Sequence, residues 1–182
     1  MLSLRRPSPQ QLEQFLAQQR TCELTYEPVG VTTAGMAEAP RGYALGCSRK
    51  LLAEGGDPQI TEKAFAAAKL GLQRWQQFRL GWVEALPGDT ALQEGEVVNI
   101  VAHTCGLWAA NACRIIATID EGTQPSRTGS LACFGVHRFG FVYGTLPDHV
   151  AAGEERFLIE TDAEGNVWYD ILAFSRPRGV LS

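Results

Sequence analysis

The sequence predicts an α+β domain: a curved antiparallel sheet of about six or seven strands with one or two helices packed on it. Three observations predict it. Two helix-start signatures stand in the first third of the chain, the apolar period changes from helical to extended at Leu80, and turn residues punctuate everything after that point.

The first helix opens at Ser8, which can cap the N-terminal amides, while Pro9 suits the first helical position and Gln11 completes a capping box. Leu12, Phe15 and Leu16 give it a narrow apolar stripe, and it is expected to end near Arg20. Leu24 to Val29 reads as a short extended piece, Thr32 to Pro40 as a loop and Gly42 to Arg49 as a strand. Asp57-Pro58 opens the second helix by the same logic. Along it Phe65, Ala68, Leu72, Trp75 and Phe78 recur at steps of three or four, which turns one aromatic-rich face toward a core.

Beyond Leu80 six strands are expected, at 80–86, 96–104, 107–119, 130–143, 154–161 and 166–174. The last two flank the short turn Asp162 to Asn166 and form a hairpin. The runs 107–119 and 130–143 exceed the usual strand length of about five or six residues, which implies strong curvature. The whole chain, 1–182, reads as one domain with a helical and extended part over 1–79 and a strand-rich part over 80–177.

Charge and composition narrow the function. Sixteen Lys and Arg against twenty Asp and Glu leave a net charge of −4, which argues against a nucleic-acid partner. With 45% hydrophobic and 20% charged residues the chain is neither disordered nor fibrous. Five scattered cysteines without a C-x-x-C pair oppose a zinc knuckle and a disulfide framework. The short apolar start is no secretory h-region, and no apolar window of about 18 residues exists, so a cytoplasmic protein without a membrane partner is expected. The G-x-S-x-G, G-x-x-x-x-G-K-[ST], G-x-G-x-x-G and H-E-x-x-H patterns are all missing, so neither a cofactor nor a metal is expected.

The candidate ligand-binding residues lie on the strands and one loop. On 130–143 the alternate series Leu131, Cys133, Gly135, His137, Phe139, Phe141, Tyr143 makes His137 and Tyr143 the polar tips of an apolar row. On 107–119 Asn111 shares a face with Ile115, Ala117 and Ile119, and Arg114 with Ile116 and Thr118; the Arg114 fork suits a ligand carboxylate or a surface acid. The densest polar cluster runs from Tyr143 through Thr145 to His149 and on to Glu154 and Glu155. Its reading is a specific inter-strand loop, a ligand-contacting loop, or an acid/base pair of His149 with Glu154 or Glu155. Ser175 is a nucleophile only if a base lies beside it.

Several blocks also resemble a known family. They are Tyr143-Gly144-Thr145-Leu146-Pro147-Asp148-His149, Gly153-Glu154-Glu155-Arg156-Phe157, Val167-Trp168-Tyr169-Asp170 and Ala173-Phe174-Ser175-Arg176-Pro177, with Gly81-Trp82-Val83 and Gly106-Leu107-Trp108 upstream. Together they resemble the family called domain of unknown function 1990, also uncharacterised protein family 0548, over nearly the whole chain. That family has no established activity, so the resemblance implies positions and no mechanism. It also implies a C-terminal helix after the Ser-Arg-Pro block, where this sequence has five residues, so that a second subunit would supply the cover in a homo-oligomer. The element order is similar to that of helix-grip proteins.

The leading expectation is therefore a protein that binds a small apolar or amphipathic molecule under the sheet, with polar contacts from Asn111, Arg114, His137, Tyr143, Thr145 and His149. The alternatives are a cyclase-like or hydrolytic enzyme with His149 or His137 as general base, and a structural or partner-binding protein.

Overall fold

A computed structural model describes residues 1–122 and 136–178. The chain runs β1 (Leu2–Ser3), α1 (Pro9–Gln19), β2 (Ala44–Ala53), α2 (Pro58–Gln73), a 3-10 turn at Gln76–Phe78, β3 (Val83–Leu86), β4 (Val97–Thr104), β5 (Leu107–Gly122), β6 (His137–Thr145), β7 (Ala151–Thr161) and β8 (Val167–Pro177). All pairings are antiparallel, in the order β2-β8-β7-β6-β5-β4-β3, with β1 beside the start of β5. The α+β class and the antiparallel sheet thus stand, with eight strands in the sheet.

Both helices begin where their capping residues demand. Ser8 Oγ accepts the Gln11 N–H at 3.3 Å while the Ser8 N–H donates to Gln11 Oε1 at 2.8 Å, the reciprocal bonds of a capping box. Asp57 Oδ1 accepts the Gln59 N–H at 2.8 Å. α2 has a topological task. Its neighbours β2 and β3 are opposite edges of the seven-strand path, about 29 Å apart at roughly 4.8 Å per strand. A 16-residue helix rising about 1.5 Å per residue covers about 24 Å of that crossing.

Each helix covers one face of the sheet. Leu72, Trp75 and Phe78 join Val98, Ile100, Ile115, Phe139, Phe141, Tyr143, Phe157 and Ile159 on the α2 face. Leu12, Phe15 and Leu16 pack on Val97, Val101, Ala110, Ala112 and Leu146 on the α1 face. Strand β4 is therefore buried on both sides from Val97 to Val101.

Three further expectations are corrected. No strand forms over 24–29; the segment 21–43 is a loop over the α1 face that packs Tyr26 against Phe174. The aromatic stripe of α2 is not one helix: α2 stops at Gln73, Trp75 takes a left-handed φ of 54°, and Phe78 sits in the 3-10 turn. In β5 a bulge between Ile115 and Ala117 reverses the faces. Ile115 stands opposite Tyr143, but Thr118 stands opposite Phe141, so Ala117 and Ile119 leave the face of Asn111, and Thr118 leaves that of Arg114. Finally, Leu131, Cys133 and Gly135 of the expected strand 130–143 lie outside the described residues, as does the region of an implied C-terminal helix. No helix among the described residues is long and apolar enough to cross a membrane.

Candidate functional site

The polar residues expected to converge are sorted by strand pleat onto different faces. Glu154 and Glu155 are neighbours on β7 and point to opposite sides of the sheet. Glu154 is buried beneath the loop 21–43. Its Oε1 accepts the Thr32 N–H at 2.7 Å and the Thr32 hydroxyl at 2.8 Å; its Oε2 accepts the Gly30 N–H at 2.7 Å and the Tyr26 hydroxyl at 2.8 Å. With four donors satisfied by one carboxylate, Glu154 is the anchor of that loop. Arg156 continues the anchorage, donating to Thr32 O at 3.0 Å and pairing with Asp170 at 2.7 Å. Thr145 serves the same loop: its hydroxyl lies 2.7 Å from that of Thr25 and accepts the Gly153 N–H at 3.0 Å. Arg114 pairs with no acid among the described residues. Its guanidinium donates to Arg20 O at 3.0 Å and Cys22 O at 2.9 Å, closing the end of α1.

Glu155 enters the α2 face, where the Tyr143 hydroxyl donates to its Oε2 at 2.7 Å. Burial pushes the Glu155 carboxyl above its ordinary range, and the Tyr143 bond only partly opposes this. Burial, then the Glu155 charge, pushes the Tyr143 phenol up as well. The pair sits among rings, with Phe157 at 5.4 Å and Phe78 at 6.2 Å from Tyr143.

The histidines do not complete an acid/base pair. His149 Nδ1 accepts the Ala151 N–H at 2.9 Å, and burial lowers its pKa to about 4. It is thus neutral at pH 7 with the Nδ1 lone pair already engaged, and neither Glu154 nor Glu155 hydrogen-bonds to it. His137 is exposed rather than a buried tip, its ring 5.8 Å from that of Phe65. Asn111 is structural too: Oδ1 accepts the Val150 N–H at 3.2 Å and Nδ2 donates to Ile100 O at 3.4 Å.

Open volume lies on the other side. α1 is short and its stripe narrow, so it covers β4 and β5 and leaves a groove of about 760 Å³ between itself and the end of β3 at Leu86 and Pro87. Leu12, Leu16 and Ala17 form the helix wall, Leu86 and Pro87 the facing wall, and Arg6 and Arg20 stand at the rim with Glu13. Asn99 lies in its floor, fully buried. Its Nδ2 donates to Leu12 O at 3.1 Å, a bond that fixes which end of the amide is which, and its Oδ1 has no partner. An unpaired buried oxygen costs about 1–3 kcal/mol, and this one lies beneath the groove's surface rather than open to it.

The family model for the domain of unknown function DUF1990 matches residues 25–182. The chain belongs to that family. Similar DUF1990 relatives are UPF0548 proteins of Deinococcus radiodurans (33% identical, covering 97% of this chain and 83% of the relative) and Dictyostelium discoideum (31%, 100% and 84%). A third, from Arabidopsis thaliana, is 29% identical over 100% of this chain and 84% of its own length. Among solved structures the chain is similar to the crystal structure of Ara h 8.0201, with 14% identity and a TM-score of 0.40 over 76% of this chain and 81% of that one.

In this DUF1990 protein the residue that sequence reasoning missed is Asn99. Its signal was present, a lone amide in Val97-Val98-Asn99-Ile100-Val101, but only a helix over the outer face makes that position a buried floor.

Proposed function

We propose that this DUF1990 protein binds a small apolar or amphipathic molecule in the groove between α1 and the end of β3. The observation that carries the reading is an apolar cleft of about 760 Å³ walled by Leu12, Leu16, Ala17, Leu86 and Pro87, within the range of small-molecule sites. A ligand that fits has an alkyl or alicyclic body and one polar group that reaches the rim at Arg6, Glu13 and Arg20. This site lies on the face opposite Glu155 and Tyr143, and of the residues first expected to contact a ligand only Arg114 approaches it, at its Arg20 end.

Titration calorimetry with 1-decanol tests the proposal. Saturable binding is expected, abolished by Ala17→Trp, which fills the groove from an exposed helix position. Decanol binding indifferent to Ala17→Trp, or no saturation by about 1 mM, would end it.

A further inference from the structure

Three of the chain's four tryptophans line one smaller cleft of about 420 Å³ beside β3: Trp75, Trp82 and Trp108. The backbone aims each differently. The left-handed turn at Trp75 sends its ring into the core, 1% exposed, with the indole N–H on Thr90 O at 2.8 Å. Gly81, at φ 85°, swings the chain back to start β3 and leaves Trp82 54% exposed. The Trp82 carbonyl accepts the His103 N–H at 2.7 Å, which ties it to the sheet edge. Trp108, across the cleft, is stacked on His103 at 4.5 Å and 15°, with the Arg6 guanidinium 5.5 Å from its ring.

The charge here opposes that of the whole chain. Segments 1–8, 74–83 and 101–110, which border the cleft, carry Arg5, Arg6, Arg74 and Arg79 and no acid in a protein of net charge −4. Glu84, the one acid that lines the cleft, is paired with Arg6. Arg79 lines the cleft and makes no ion pair among the described residues. An aromatic wall alone would suit a cation, as aromatic cages do, but the guanidiniums of Arg79, unpaired, and Arg6, held by Glu84, disfavour one. They suit an anion, which the planar fork binds through two oxygens.

We propose that this cleft binds a planar aromatic anion, an aryl carboxylate, sulfonate or phosphate whose ring lies on Trp82 and whose anionic group meets Arg79. The site adjoins the α1 groove through Arg6 and Leu86 but uses different walls, so it stands whether or not the groove takes a ligand. Calorimetry with 2-naphthoate and its neutral analogue 2-naphthylmethanol tests it, since both substituted residues are exposed and their variants should fold. Naphthoate is expected to bind about tenfold more tightly than the alcohol, and Arg79→Gln to erase that difference. Trp82→Ala is expected to weaken both by about tenfold, and Ala17→Trp to leave both unchanged. Equal affinities for acid and alcohol, indifference to both cleft variants, loss in Ala17→Trp, or no saturation by about 1 mM would each overturn the assignment.

Discussion

The two faces of the sheet are built from the same strands and end in opposite states. The α2 face is crossed from the β2 edge as far as β6 by a 16-residue helix, and rings extend the cover, with Trp75, Phe78, Phe141, Tyr143 and Phe157 in mutual contact. The α1 face has an 11-residue helix whose buried apolar residues are Leu12, Phe15 and Leu16, and a loop held by Glu154. Helix length and stripe width decide the difference. Where the longer helix and its rings cover the sheet, a carboxylate such as Glu155 is held half-buried among them; where the shorter helix does not, a groove remains.

The sharpest way to break that contrast is to truncate one buried side chain on each side. Phe141 is fully buried at the centre of the α2 face, touching Trp75 at 5.1 Å and Phe157 at 5.2 Å. Phe141→Ala is expected to cost about 4 kcal/mol, because interlocked rings cannot collapse into the hole. Leu16→Ala borders an existing groove and is expected to cost about 2 kcal/mol, near the bottom of the range for such truncations. Urea midpoints with unchanged m-values would give both numbers. Equal losses would mean that the α1 face is as tightly packed as its counterpart.

A single residue step along β7 offers the second comparison. Glu154→Ala strands the Thr32 and Gly30 N–H groups and the Tyr26 hydroxyl, and is expected to cost about 3 kcal/mol while exposing the segment 21–43 to proteolysis. Limited proteolysis with mass mapping reads the second effect. If the loop stays resistant, Glu154 is not its anchor, and Arg156 with Asp170 carries it instead.

Much of this was legible in the residues. Ser8, Gln11 and Asp57 marked both helix starts because caps are local, and the 3-to-4 spacing from Phe65 to Phe78 marked the α2 face even though the helix ends at Gln73. What escaped was non-local or a matter of parity. The β5 bulge after Ile115 moves every later residue to the other face, and no residue type there announces it. Glu154 finds its partners more than 120 positions away in a loop that reads as featureless, so its neighbourhood with His149 in sequence suggested a pairing that the pleat forbids.

The smallest expected effect comes from the carboxyl that the α2 face encloses. Burial raises the Glu155 pKa, so the folded protein holds that proton more tightly than the unfolded chain does. Its contribution to stability is complete below the ordinary glutamate range and is lost as pH rises through the raised folded value. Glu155→Gln keeps an oxygen for the Tyr143 hydroxyl and cannot ionise. The variant is therefore expected to match the natural protein in acid and to become the more stable of the two toward neutral pH, which parallel urea titrations across that range would read. If the natural protein instead gains on the variant as pH rises, the carboxylate is better solvated than its place among Phe78, Tyr143 and Phe157 implies, and the α2 face is open to water at this corner.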